Sequence, residues 1–157
     1  MKLSEHFTLE ELIKSATAKR LGILNSPTPQ VIENLKALCV NILEPLREAW
    51  GAPIIVSSGY RSPKLNKAIG GAITSEHMAQ GTGAAADIRT VSDSPEDNMK
   101  LLKLLLSLKL PFRQLINEYP DKSGAPNWIH VSYNPKHPNQ RSMLTCVGGK
   151  YKSGINV

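Results

Sequence analysis

Histidines and acidic residues are the side chains of this sequence best suited to hold a metal ion or to move protons. The chain has four histidines, namely His6, His77, His130 and His137. His77 precedes a segment rich in Gly and Ala that runs into Asp87. A hydrolytic zinc site commonly uses two histidines and a carboxylate and leaves one position for water. His77, Asp87 and His130 are therefore candidate ligands, whereas we expect His6 and His137 to be structural or surface residues.

Each candidate also has an ordinary structural explanation. A single histidine in a loop is more often a surface residue, and an aspartate in front of a strand is often a turn former. Within residues 128–132, two-residue alternation puts His130 opposite Ile129 and Val131, so that it faces either a cleft or the sheet surface. Residue type alone leaves both interpretations open.

The elements that must position these residues begin with helices. Thr8 and Glu11 fit a capping box, Thr28 followed by proline fits a helix start, and apolar residues then recur at helical spacing as far as Trp50. Pro45 should kink or interrupt this long helix. The predicted helical segments are 8–15, 29–50, 64–69 and one that starts at 94–97.

Short apolar or alternating runs predict the strands. These runs are 53–58, 86–89, 115–119 and 128–133, and the polar tail 135–157 has no clear assignment. Helices come first, followed by strands with one helix between them, which predicts a single α+β domain over residues 1–157. We expect a small, mostly antiparallel sheet packed with helices.

Composition limits the classes of function. No window approaches the ~20 apolar residues of a membrane span, so we expect no membrane insertion. The polar N-terminus shows no signal peptide, which predicts a chain that is cytoplasmic as made or leaves by another route. The net charge of +6 suits an anionic partner such as nucleic acid, a membrane surface or a cell wall, although the basic residues are scattered enough to be an ordinary solvated surface. We expect Cys39, on an apolar helix face, to be a core residue.

Four short motifs occur in order and together are more specific than any one of them. They are Ser-Ser-Gly-Tyr-Arg-Ser at 57–62, Ser-Glu-His at 75–77, Gly-Ala-Ala-Ala-Asp-Ile at 83–88 and Trp-Ile-His-Val-Ser at 128–132. This order resembles the zinc D-Ala-D-Ala carboxypeptidase and L-Ala-D-Glu endopeptidase family, whose fold is shared with the hedgehog signalling domain. Segments 4–8 and 43–47 resemble the branch found in phages and bacteria. The resemblance covers about residues 3–134.

The resemblance implies that His77, Asp87 and His130 bind one Zn²⁺ ion. The family usually has Ser-x-His-x-x-Gly-x-Ala-x-Asp, whereas this chain has three additional residues between His77 and Asp87, and we expect them to bulge outward. If the family spacing is counted back strictly from Asp87, Gln80 takes the place of the histidine, but glutamine is a poor zinc ligand. We therefore keep His77.

A general base must also be present. Many relatives place an acid three residues before the last ligand, where this chain has Asn127. The hedgehog-like arrangement instead implies Glu118, which would share a cleft with His130 if the two strands pair as a hairpin. The alternative is that Glu118 is an exposed carboxylate at a strand end, and Asp121 is then the reserve candidate.

Two further residues are implied to bind substrate. Arg61 matches the residue that anchors the substrate, and a guanidinium suits a carboxylate group. Ser58 is expected to assist it. The alternative for Arg61 is an ion pair with a structural acid. Tyr60 and Trp128 either line the cleft or pack against a core strand.

The expected function is zinc-dependent hydrolysis of amide bonds in bacterial peptidoglycan, by a monomer that acts as a carboxypeptidase or an endopeptidase, including a phage endolysin. One alternative is a catalytically inactive, zinc-containing wall-binding or signalling module, which Asn127 and the longer spacing favour. A basic nucleic-acid binder is the other, but scattered charge and few aromatic residues argue against it and we expect no nucleic-acid partner.

Overall fold

The computed structural model describes residues 1–81 and 83–157, and these ranges form six α-helices and one sheet of six strands. The helices are α1 (Leu9–Ile13), α2 (Ala16–Leu21), α3 (Pro29–Leu38), α4 (Glu44–Trp50), α5 (Pro63–Ala68) and α6 (Pro95–Ser107). The strands are β1 (Ile54–Ser58), β2 (Ala84–Thr90), β3 (Gln114–Glu118), β4 (Trp128–Tyr133), β5 (Ser142–Val147) and β6 (Lys150–Ser153). None of the helices in the described ranges has the length and apolar run that a membrane span requires.

Side-chain caps start the helices where the sequence predicts them. Thr8, Thr28 and Ser94 each accept a hydrogen bond from a backbone N–H in the first turn of α1, α3 and α6. Ser15 does the same for α2. The helix predicted through residue 15 ends at Ile13, and Ser15 caps a second short helix, α2, that we did not predict.

The long helix predicted over 29–50 is continuous but not uniform. A π-helical turn, Cys39–Leu43, separates α3 from α4, and the N–H of Glu44 bonds to the carbonyl of Cys39. Pro45 follows at once and has no N–H to donate. The predicted interruption at Pro45 is therefore present as a π-helical turn just before the proline. Cys39 lies in the core, where burial raises the pKa of its thiol to about 12.

The sheet has the strand order β1-β2-β4-β3-β5-β6. The α+β prediction is confirmed, but the sheet is mixed rather than antiparallel throughout, because β5 pairs with β3 in parallel. The tail that we left unassigned forms β5 and β6. Strand β6 is polar and all four of its residues are exposed, so it has none of the apolar alternation by which strands are predicted.

Alternation along the strands gives the sheet two different faces. One face packs against α3 and α6 and contributes Ile88, Leu115, Ile129 and Val131 to the hydrophobic core. The opposite face carries the alternate residues of the same strands, among them two of the predicted metal ligands, Asp87 and His130. The core therefore packs against one face of the sheet, and the polar face is available for a functional site.

Candidate metal centre and cleft

Neighbouring strands bring two of the predicted metal ligands together. Asp87 on β2 and His130 on β4 are directly opposite each other in the antiparallel ladder. His77 comes from a 3₁₀ turn, Glu76–Met78, that packs against β2. Ser75 caps this turn by accepting a hydrogen bond from the N–H of His77 at 3.3 Å. Residues from three separated stretches thus meet on the polar face of the sheet.

The donor atoms of this group form a nearly equilateral triangle. Nε2 of His77 lies 3.2 Å from Nδ1 of His130 and 3.3 Å from Oδ1 of Asp87, and Nδ1 of His130 lies 3.1 Å from the same oxygen. Four-coordinate zinc with bonds of about 2.0–2.1 Å separates its ligand atoms by about 3.3–3.4 Å. The spacing and the donor types therefore fit one zinc ion.

A backbone contact orients His77. Its Nδ1–H donates to the carbonyl of Gly59 at 2.7 Å, which leaves the lone pair of Nε2 directed at the other two donors. Gly59 must lack a side chain, because a Cβ there would overlap the carbonyl of Leu12. The outer nitrogen of His130, Nε2, is buried and has no hydrogen-bond partner within the described ranges.

Electrostatics favours an ionised Asp87. Burial alone would raise the pKa of Asp87, but His77 and His130 outweigh it and hold that pKa well below its usual range. Burial lowers the pKa of His130, but the hydrogen bond and charge of Asp87, together with the charges of Glu76 and Glu118, raise it by more. The carboxylate is therefore charged at neutral pH, as a metal ligand must be.

Glu118 lies on the same face, one strand away. Its neighbour two residues back, Ile116, pairs with His130, so Glu118 and His130 are diagonal neighbours, about 7–8 Å apart at Cα. Glu118 is only 7% exposed, so it is not the exposed strand-end carboxylate of our alternative. Burial raises its pKa, and His130 lowers it by less. A carboxyl group of raised pKa near a metal centre is suited to proton transfer at neutral pH.

Asp121 and Asn127 lie in the β3–β4 loop and have local partners. The carboxylate of Asp121 accepts hydrogen bonds from the N–H and hydroxyl of Ser123 and from the N–H of Ala125. It borders a different cavity, next to α6. Asn127 donates its backbone N–H to the carbonyl of Glu118. Both therefore stabilise the loop.

A cleft of about 850 Å³ opens over the metal centre. Arg61 lines it, donating to the hydroxyl of Ser75 at 3.2 Å, and its buried Nε has no hydrogen-bond partner among residues 1–81 and 83–157. Ser58 pairs with Asp87 across β1 and β2 but does not border the cleft. Trp128 lines the cleft and is stacked on Tyr119 with ring centroids 5.3 Å apart, whereas Tyr60 packs in the core.

A family model described as Peptidase M15 matches residues 5–132. The chain belongs to the Peptidase M15 family. This finding confirms the predicted resemblance and identifies a family of zinc metallopeptidases, to which the group His77, Asp87 and His130 is suited as a metal site. No curated protein matches the chain.

The M15 chain also accommodates its longer spacing between His77 and Asp87. Met78 and Ala79 turn inward and are buried, whereas Gln80 and Gly81 are exposed. Asn34 on α3 donates to the carbonyls of Ala79 and Gly81 and so ties this segment to the core. Only part of the insertion bulges outward, and Thr82 lies outside the described residues.

Residues that we did not predict support the M15 site. The side chain of Asn25 donates to the carbonyls of Ile13 and Tyr60 and accepts from the N–H of Ser62, which holds the turn that presents Arg61. Such contacts join residues far apart in sequence, and no local pattern points to them.

Glu76, a further polar residue that we did not predict to belong to the site, lies next to the predicted ligand His77 and lines the cleft. Glu76 accepts from the hydroxyl of Ser132 at 3.0 Å and lies 3.4 Å from the guanidinium of Arg113. Both Glu76 and Arg113 line the cleft. The position of Glu76 next to His77 was the only sequence signal that it belongs to the site.

A second group of His and Glu side chains lies at the N-terminus. Glu44 accepts hydrogen bonds from the hydroxyl of Ser4 at 2.5 Å, the N–H of His6 at 3.0 Å and the Nδ1–H of His6. Exposed Glu5 lies nearby. We call Ser4, His6 and Glu44 the N-terminal clamp, because they fasten the first residues to α4.

Proposed function

We propose that the chain is a zinc-dependent peptidase that hydrolyses amide bonds in bacterial peptidoglycan peptides, with His77, Asp87 and His130 as the ligands of one zinc ion. The observation that carries the proposal is the triangle of three donor atoms, 3.1–3.3 Å apart, in the cleft that Arg61 and Glu118 also line. The buried carboxylate of Glu118 beside the ligands favours catalysis over a module that only binds the wall.

The division of roles follows from chemistry. Zinc bound by these ligands would lower the pKa of a bound water to about 7 and polarise the peptide carbonyl. Glu118 accepts a proton from the attacking water and passes it to the leaving amine. Its burial, which raises its pKa, makes it a better proton acceptor than an exposed glutamate. The hydrogen bond to Gly59 keeps His77 in the tautomer that binds metal.

Arg61 is the proposed anchor for the substrate. Its guanidinium lies in the cleft close to the ligands, and peptidoglycan stem peptides carry free carboxylates that a guanidinium can bind with two hydrogen bonds. Ser58 lies on the neighbouring strand but outside the cleft, so its assisting role stays a prediction. The net charge of +6 would favour association of this proposed monomer with an anionic wall.

Hydrolysis of purified peptidoglycan by the zinc-loaded chain, followed by mass spectrometry of the released peptides, tests the proposal. We expect Glu118→Gln to lower kcat by about 10²–10⁴-fold with zinc content unchanged, because only proton transfer is lost. Asp121→Asn is the matched control and should keep full activity.

Three outcomes would change this assignment. Loss of activity in Asp121→Asn with full activity in Glu118→Gln would reassign the base. If the zinc-loaded parent chain releases no peptide from walls that it binds, the catalytically inactive wall-binding module is favoured instead, which Asn127 and the longer ligand spacing support. If the chain binds DNA and no walls, both are wrong.

A further inference from the structure

The hairpin formed by β5 and β6 is a rigid extension of the sheet. Val147 pairs with Lys150, and the two residues between them, Gly148 and Gly149, have φ of 58° and 76°. Two consecutive positive φ values define a type I′ turn, which suits the twist of antiparallel strands and favours glycine. Parallel pairing from Gln114–Ser142 to Glu118–Cys146 joins the hairpin to β3 along its whole length.

The pairing register of β3, β5 and β6 makes one face of the hairpin line the cleft. Cys146 is opposite both Glu118 on β3 and Tyr151 on β6, and paired residues of adjacent strands point to the same face. Trp128, Glu118, Cys146 and Tyr151 therefore form one row across four strands, and all four line the cleft. Leu144 lies in the parallel row that begins with Asp87 and His130 and lines the cleft as well.

Strand spacing sets the width of this cleft floor. The step from β4, which carries His130, to β6, which carries Tyr151, is three strand spacings, or about 14 Å at about 4.8 Å each. An extended peptide advances about 3.3–3.6 Å per residue, so about four residues span that distance. The floor beyond the metal ligands thus exceeds what a single terminal residue would occupy.

The two walls of the cleft differ in chemistry. Arg61 follows β1 on one side and carries a positive charge. On the hairpin side the lining residues are neutral, namely Leu144, Cys146 and Tyr151. Arg61 and Tyr151 both line the cleft, and they come from opposite ends of the sheet, since Arg61 follows β1 and Tyr151 lies on β6.

Tyr151 itself is free to meet a ligand. Its side chain is 60% exposed although it borders the cleft, so its removal would cost little packing. The ring and hydroxyl combine apolar surface with a hydrogen-bond donor, which suits a peptide backbone. The family match ends at residue 132, before the hairpin, so the matched region does not include this wall.

We propose that the β5–β6 hairpin is a substrate-binding element, with Tyr151 as its contact residue, and that it selects peptides extending several residues from the scissile bond. This inference rests on the proposed peptidase function. The substrate class is an extended peptide whose chain crosses Ile116 and Leu144 and reaches Tyr151, with its carboxylate at Arg61.

The experiment measures kcat/KM of the zinc-loaded chain on synthetic stem peptides that share one scissile bond and extend from it by one, two or four residues on either side. For the parent chain, kcat/KM should rise with length on one side of the bond. Tyr151→Ala should remove that rise and leave the shortest peptide unaffected. The conservative Tyr151→Phe should lose about three- to tenfold on the longest peptide only, as expected for one hydrogen bond.

Lys152→Ala is the matched control, because Lys152 is the adjacent residue of β6, pairs with Thr145 and points away from the cleft. It should behave as the parent chain. An equal loss on short and long peptides in Tyr151→Ala, or no loss on any, would overturn the hairpin proposal and leave the peptidase function intact. A parent chain inactive on every peptide would overturn the peptidase function and this inference together.

Discussion

The metal centre and the N-terminal clamp both place a histidine within hydrogen-bond distance of a carboxylate, yet they differ in what occupies the lone pairs. In the clamp, both oxygens of Glu44 accept hydrogen bonds, from Ser4 and from the backbone and ring of His6. In the metal centre, Oδ1 of Asp87 faces two ring nitrogens that also face each other. The three donor atoms of the metal centre lie 3.1–3.3 Å apart. At the N-terminus, Glu5, His6 and Glu44 also bring three donor atoms within 4.8 Å of one another, but both oxygens of Glu44 already accept hydrogen bonds.

The comparison shows that residue type alone does not define a metal site. Histidine and glutamate near each other can satisfy one another completely, and such a cluster then gains little from a cation. At the metal centre an outer contact, from Nδ1 of His77 to Gly59, reserves the inner nitrogen for another partner. A hydrogen bond of this kind, made by the ring nitrogen that does not bind the metal, distinguishes a metal-binding histidine from a structural one.

The largest expected effect comes from removing one histidine of each group. His130→Ala deletes one of the three metal donors, so we expect zinc content to fall from about one ion per chain to background and peptidase activity to be lost. His6→Ala deletes a comparable contact in the clamp and should leave zinc content unchanged. Elemental analysis of both purified variants after dialysis is the measurement.

The comparison would fail in either of two ways. Full zinc in His130→Ala would mean that the triangle is not the metal site. Loss of one equivalent of zinc in His6→Ala, with zinc retained in His130→Ala, would mean that the clamp holds the metal and that its hydrogen bonds are not what excludes a cation.

The next largest effect is on stability and concerns the clamp. Glu44→Ala leaves the hydroxyl of Ser4 and the N–H of His6, both partly buried, without their acceptor, and we expect a loss of about 1–3 kcal/mol in the free energy of unfolding. Urea denaturation measures it. Glu48→Ala, on the exposed side of the same helix, is the control and should change stability by less than about 0.5 kcal/mol.

Zinc content adds a second measurement to that experiment. Folded Glu44→Ala should still bind one zinc ion, since the clamp contributes no ligand. If Glu44→Ala is as stable as the parent chain, the hydrogen bonds of the clamp stabilise the fold no more than hydrogen bonds to water would. The clamp would then not be the structural site with which the metal centre is compared.

These two regions also show where prediction from sequence succeeds. The caps Thr8, Thr28 and Ser94 act within one helical turn, so local pattern is enough to find them. His77, Asp87 and His130 were predicted as one group because ordered motifs resembled a family, not because any residue stood out alone. The clamp was missed, and His6 was expected only to be structural or on the surface, because its partner Glu44 lies on a distant helix.

The tail shows why the remainder could not be predicted. Residues of β6 are all exposed and polar, so no burial pattern marks them as a strand, and their conformation depends on pairing with β5. Strand β5 in turn depends on the free edge of β3. Tyr151 reaches the cleft only through these pairings, which exist in the fold and not in the local sequence.

The smallest expected effect is the part of the pH dependence of stability that comes from Glu44 in the clamp. Burial raises the pKa of Glu44, but the hydrogen bonds from His6 and Ser4 outweigh it and lower that pKa below its unfolded value. Its contribution to stability is therefore complete above the unfolded glutamate pKa of about 4.3 and is lost as the pH falls through the lower folded value. Urea unfolding of the parent chain and Glu44→Gln should thus differ most at neutral pH, and the difference should shrink towards pH 3. A difference that stays constant over this range would show that the charge of Glu44 contributes nothing, and that the clamp holds its histidine by shape and neutral hydrogen bonds alone.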